Sequence, residues 1–255
     1  MLVFCLLAIV AVVLLINLIR SRHLNVPLKQ FSDSSDSNDE LTSAVLKLVS
    51  GLLPWNHSSL TDLSTDWNAN WSRWGKSLKA TGTIPSQKNP KQGAYVAFAL
   101  HIKGIFNPEG ELYACNTSNA FRFLFTIKGV EVSVDGSFFG LIRSDGMLQD
   151  ASGQVIGKAL RPNGTPAILN LGSLKILRDK REQSYTLLLG EKIIGQIANP
   201  PIQLFNAIRI KKKIFVPAAI PAPGIADYEL LWLSCLAIYQ VAGLNLIESV
   251  WTNSN

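Results

Sequence analysis

Nine cationic side chains crowd the stretch from Leu171 to Val216: Lys175, Arg178, Lys180, Arg181, Lys192, Arg209, Lys211, Lys212 and Lys213. Only Asp179, Glu182 and Glu191 oppose them, and the excess of six equals the net charge of the whole chain. Ammonium and guanidinium groups at this density capture anions. Two readings stand side by side. The cluster is either a set of solvated strand edges and hairpin tips, where lysine blocks edge pairing, or an anion-binding surface. For the second reading the candidate lipid-binding residues are Lys175, Arg178, Arg209, Lys211, Lys212 and Lys213. Nucleic acid is not expected as a partner, because Phe215 is the one aromatic residue near Arg209 to Lys213 and bases need stacking platforms. Other reactive chemistry is sparse. His23, His57 and His101 are scattered, and no HExxH, GxSxG, GxGxxG or phosphate-loop pattern is present. Cys5, Cys115 and Cys235 are too few and too far apart for a zinc site or a disulfide framework. The expectation is therefore no enzyme, no cofactor and no metal.

Composition points to a membrane. The 255 residues are 47% hydrophobic and 16% charged, against about 25% charged for ordinary soluble domains. Leu2 to Ile19 is apolar except for Asn17, and eighteen residues at about 1.5 Å each approach the hydrocarbon thickness. A cleaved signal peptide would carry a positive residue ahead of its apolar core, whereas Arg20, Arg22 and Lys29 follow it here. We read residues 1–19 as a single-pass transmembrane anchor with the bulk of the chain on the cytoplasmic side, where positive flanks reside. Residues 20–40, with the Ser/Asp-rich run SDSSDSNDE, read as a flexible linker. Asn56, Asn70, Asn116 and Asn163 each open an Asn-x-Ser/Thr pattern, which matters only if the domain is lumenal.

Residues 41–92 read as a helical, Trp-rich segment followed by a loop. Leu41, Val45, Leu48, Val49 and Leu52 recur at a helical period, and Pro54 ends the run. Trp67, Trp71 and Trp74 fall at i, i+4 and i+7. They predict one face of a second helix, either packed on the core or set at a membrane interface beside Arg73, Lys76 and Lys79. Thr81 to Gln92 reads as a loop.

Alternation takes over within residues 93–247. Short apolar runs are separated by Asp135-Gly136, Asp145-Gly146, Ser152-Gly153 and Asn163-Gly164, which are strong hairpin signals. Expected strands include 95–105, 121–127, 130–134, 138–143, 147–149, 154–160, 167–171, 173–178, 185–189, 192–197 and 208–216. Ile225 to Ile247 then forms a long apolar helix, with Asp227 as its expected cap. From Leu230 to Ile247 this helix carries no charge, so it must be buried on every side. A sheet closed around it is one solution. A second membrane span is the other, which would make a two-span protein with an intervening β domain. Residues 248–255 read as a tail.

The hairpin 148–158, LQDASGQVIGK, is echoed by 187–196, LLLGEKIIGQ, and the final helix opens with Ala226-Asp227-Tyr228-Glu229-Leu230. On these residues, over about Phe121 to Leu246, the chain resembles the tubby C-terminal-like superfamily, which includes the phospholipid scramblases and the LURP-one-related proteins. The resemblance implies a mainly β fold, a closed antiparallel β-barrel of twelve strands around a C-terminal hydrophobic helix. It also raises phospholipid scrambling or transfer as an alternative activity. The family's proposed calcium segment has no counterpart, since Asp135, Asp145 and Asp150 lack Ca²⁺-loop spacing. The expected function is a non-enzymatic, membrane-anchored β-barrel module that binds anionic phospholipid or serves as an accessory subunit beside other membrane proteins.

Overall fold

The computed structural model describes residues 35–104, 109–160, 184–198 and 217–252. The expected anchor at Leu2 to Ile19 lies outside them, as do the expected strands at 167–171, 173–178 and 208–216. Among the described residues no helix is long and apolar enough to cross a membrane.

The fold is mainly β. Twelve strands form one antiparallel sheet in which spatial order equals chain order. They are β1 (Asn68–Trp74), β2 (Ser77–Pro85), β3 (Ala94–Lys103), β4 (Glu109–Cys115), β5 (Ala120–Thr126) and β6 (Gly129–Val134). The second half is β7 (Ser137–Arg143), β8 (Met147–Asp150), β9 (Val155–Leu160), β10 (Ser184–Leu189), β11 (Lys192–Ala198) and β12 (Ala219–Pro221). Period-two burial drives the pairing. In β2, Leu78, Ala80 and Ile84 point to the core while Lys79, Thr81 and Thr83 point away. At the Asp135-Gly136 turn both residues have positive φ, 50° and 79°, as a two-residue type I′ hairpin requires.

The last helix is the axis of the core. It runs without a break as α3 (Asp227–Ile238), a π-helical stretch (Tyr239–Asn245) and α4 (Leu246–Thr252), five residues past the expected end. Trp232 to Ile247 are all buried. Strands from around the sheet touch it. Tyr239 stacks on Phe123 of β5 with ring centroids 6.1 Å apart, and Trp232 meets Phe139 of β7 at 4.7 Å. Glycines let backbone and helix approach. A Cβ on Gly195 of β11 would stand 2.9 Å from Leu233 of the helix, whereas one on Gly157 of β9 would meet the neighbouring strand β10, 2.6 Å from Leu189. The apolar surface of Trp232 to Ile247 is thus covered by protein, with Leu230 and Leu231 half-buried ahead of it. Its N-terminus differs from expectation. Asp227 is the first helical residue rather than the cap, and the reciprocal contact comes from Glu229, whose Oε2 accepts the Ala226 N–H at 2.7 Å. Lys192 Nζ lies 2.6 Å from the same oxygen, and together they hold the Glu229 carboxyl below the usual range.

The sheet curls around this helix but is not closed into a barrel. β1 and β12 do not pair as a ladder among the described residues. Among the described residues the segments leading into β1 and β12 are joined by a bridge between Ser64 and Pro217 and by the Ala218 N–H donating to the Leu63 carbonyl at 2.7 Å. β12 is three residues long and is flanked by Pro217 and ended by Pro221, and proline supplies no N–H to extend a ladder.

Three further expectations are corrected. Helix α1 (Ser35–Val49) begins inside the stretch read as linker. The loop expected at Thr81 to Gln92 is strand β2 as far as Pro85. The helix expected to carry the tryptophans is strand β1. Its polar residues Asn68, Asn70 and Ser72 alternate, and its backbone is paired with β2 from Asn68↔Thr83 to Trp74↔Ser77. Helix α1 lies on the outer face of the sheet, where Leu41 and Val45 cover Ala97, Ala99 and Cys115. β3 is consequently buried on both faces, with Val96, Phe98, Leu100 and Ile102 inside and Ala97 and Ala99 under the helix. A short helix, α2 (Ser59–Asp62), precedes β1.

Candidate functional site

Of the nine residues predicted for lipid or interface contact, six lie outside the described residues: Lys175, Arg178, Arg209, Lys211, Lys212 and Lys213. The three tryptophans are described, and the strand separates them. Trp67 precedes β1 and packs half-buried against the core. Trp71 is opposite Ala80 and therefore on the inner side of the sheet, but among the described residues β1 ends the sheet and Trp71 is 45% exposed. Trp74 ends the strand, points to the opposite face, and is 90% exposed. An indole in water at a hairpin tip forgoes about the largest burial gain any side chain offers.

Register places that tip in a larger feature. Trp74 pairs with Ser77, Ser77 with Lys103, and Lys103 with Glu109. Gly110 then faces Phe125, one step in from Glu109 and Thr126, after which Thr126 pairs with Gly129 and Gly129 with Arg143. One cross-strand row therefore ends seven strands, β1 to β7. The hairpin tips Gly75-Lys76 and Ile127-Lys128 project beyond it on the same side. Ile127 is 68% exposed. The row and its tips carry Lys76, Lys103, Lys128 and Arg143 against Glu109 and Asp145, and Arg143 pairs with Asp145 at 2.8 Å. Just inside the row, Lys79 Nζ contacts Glu40 of α1 at 3.0 Å.

The opposite rim has the other sign. Its connectors and the helix start carry Asp135, Asp150, Glu191, Asp227 and Glu229 against Lys88, Lys91 and Lys192. A cleft of about 570 Å³ opens there between the end of α1, the start of β1 and the segment 86–93, lined by Leu48, Leu52, Asn68, Ser86, Gln87 and Lys91. Beside it the buried Asp62 carboxylate accepts hydrogen bonds from Ser86 Oγ at 2.7 Å, the Lys88 N–H at 2.9 Å and Tyr95 Oη at 3.0 Å. Burial alone would raise this carboxyl, but the three donors outweigh it and hold its pKa below the usual value. Burial, with Asp62 adding to it, pushes the Tyr95 phenol up. These three donors tie the 86–95 segment to α2.

Sequence reading missed two further polar contacts. Ser77 Oγ lies 3.3 Å from His101 Nε2, a pair created by strand register 24 residues apart. It stands on the outer face of the sheet. Burial, then Lys79 and Lys103, lower the imidazole pKa, and its cross-strand neighbour Glu111 is held by Arg122 at 2.7 and 3.2 Å. Of the Asn-x-Ser/Thr positions, Asn56 and Asn70 are exposed, whereas Asn116 is buried and accepts the Ser118 and Asn119 N–H groups at 2.7 Å each. Among the described residues no cluster of three or more His, Cys, Asp or Glu could hold a metal ion.

No protein-family model, curated protein or solved structure matches this chain.

Proposed function

We propose that the chain is a non-enzymatic, membrane-anchored β module that binds anionic phospholipid. Leu2 to Ile19 serves as its anchor, and the folded unit lies on the cytoplasmic side. The observation that carries the reading is the β1–β2 hairpin, whose tip holds Trp74 in solvent two residues from Lys76 and in one cross-strand row with Lys103, while Trp71 is part-exposed on the other face. Indole settles at the headgroup boundary, and each nearby lysine adds about 1 kcal/mol at an anionic leaflet. Twelve antiparallel strands in chain order around a buried C-terminal helix support a tubby-like, scramblase-type architecture as the frame.

The test reconstitutes the full chain into nanodiscs of phosphatidylcholine, alone or mixed with phosphatidylserine, and measures quenching of tryptophan emission by brominated lipid. Quenching should rise with phosphatidylserine, and the Trp74→Phe variant should lose part of that rise. Equal quenching in both lipids, untouched by the substitution, would remove lipid from the account.

A further inference from the structure

We infer that the rim ending strands β1 to β7, with Trp74 and Ile127 as two insertion points, is the face that seats on an anionic bilayer. This rests on the lipid-binding reading above and specifies its geometry. The two tips belong to hairpins four strands apart, which at about 4.8 Å per strand places them roughly 19 Å apart along the rim. Because one cross-strand row underlies both tips, the two approach a membrane surface together.

The Ile127 tip is the telling element. Neither Ile127 nor Lys128 has positive φ, which falls on Gly129 instead, so the turn accepts a branched side chain there and leaves the isoleucine 68% exposed. Lysines stand beside each apolar tip: Lys76 and Lys103 near Trp74, and Lys128 next to Ile127. An apolar side chain for the acyl boundary with cations at headgroup level is the pattern of interfacial binding. The opposite rim also shows apolar side chains, Val155 at 44%, Ile193 at 54% and Tyr228 at 47%. They are strand and helix positions on a rim that carries Asp135, Asp150, Glu191, Asp227 and Glu229 against Lys88, Lys91 and Lys192, an acidic excess of two, where the β1 to β7 row and its tips have a basic excess of two, so an anionic surface favours the β1 to β7 rim. Charge therefore selects between the two ends. The chain also enters the sheet from the selected end. Glu40 of α1 contacts Lys79, two residues from the row, while Leu52, beyond the other end of α1, bridges Ala94.

The experiment uses the full chain with Cys5→Ser, leaving Cys115 and Cys235, which are buried. An environment-sensitive fluorophore is attached to Trp74→Cys, Ile127→Cys or Val155→Cys in phosphatidylcholine nanodiscs with or without phosphatidylserine. The expected result is a severalfold rise in quenching by lipid-borne quencher at positions 74 and 127 when phosphatidylserine is present, and none at 155. High salt should reverse the rise. Quenching at 74 alone would overturn the two-point rim while leaving lipid binding in place. Quenching at 155 and not 127 would assign the opposite rim. No response at any position would refute both the rim and the lipid-binding reading.

Discussion

Replacing Asp62 tests whether one buried carboxylate anchors the start of the sheet. Asp62 is 8% exposed and receives three donors, from Ser86, Lys88 and Tyr95. Hydrogen bonds to a charged group contribute about 1.5–3 kcal/mol each, and a buried donor left alone costs a comparable amount. Lys88 is exposed, so its N–H rehydrates when the carboxylate is removed. Ser86 is buried, and Tyr95 half-buried, so they do not. Asp62→Ala should therefore cost about 3–5 kcal/mol, and Tyr95→Phe about 1–2 kcal/mol. Asp62→Asn should fall between them, since an amide keeps one acceptor and the hydroxyls can turn. The folded pKa lies below the unfolded value of about 3.9. The charge therefore contributes fully above that value and is lost as pH falls through the folded pKa. Urea unfolding of the full chain in detergent, followed by near-ultraviolet circular dichroism between neutral and acid pH, reads both effects. The reasoning fails if Asp62→Ala costs less than about 1 kcal/mol, or if the gap between wild type and Asp62→Asn stays constant below about pH 4.

Other perturbations follow from the packing. Gly140→Ala should destabilise by about 1–3 kcal/mol through overpacking, because its Cβ would collide with the Gln149 carbonyl oxygen and stand 2.8 Å from the Trp232 ring; an unchanged melting temperature would contradict this. Glu111→Gln should lower stability by about 1.5–3 kcal/mol by weakening the two-pronged contact to the half-buried Arg122, and in a double-mutant cycle with Arg122→Met the two losses should not add. In a Cys5→Ser chain, neither Cys115 nor Cys235 should react with a thiol reagent at mildly alkaline pH until the fold is opened. Burial pushes Cys115 up to about 11 and raises Cys235 as well, so rapid modification without denaturant would show that α1 lifts off Cys115 or that the core helix exposes Cys235.

Local chemistry made most hairpins readable before any coordinates. Asp135-Gly136 demands positive φ, and Phe121 to Ile127 alternates with period two. β4 was invisible for a physical reason: in Glu109–Cys115 the inward residues are only Leu112 and Ala114, and buried Glu111 is tolerated because Arg122, eleven residues on, neutralises it. The tryptophan spacing misled because 67, 71 and 74 satisfy a helical period while the alternating polar residues satisfy a strand. The partner β2, itself mistaken in part for a loop, decides between them. Trp71 and Trp74 were legible as exposed aromatic candidates, but the rim was not. It exists only because register aligns Trp74, Lys103, Thr126 and Arg143, residues with no local relation.

The order of elements along the chain carries a kinetic consequence. The helix that fills the core follows every strand. At about 5–20 residues per second of synthesis, roughly 6–30 s separate the emergence of β3 from that of the helix running from α3 to α4. During that interval Phe98, Phe121 and Phe123 have no Tyr239 or Trp232 to cover them. The nascent sheet must then hold an unfilled apolar interior or delay its curling. A chaperone that shields apolar surface, or slow strand association, would decide how much chain survives to receive its helix, and substitutions in the helix would act first on yield and only then on the stability of what has folded.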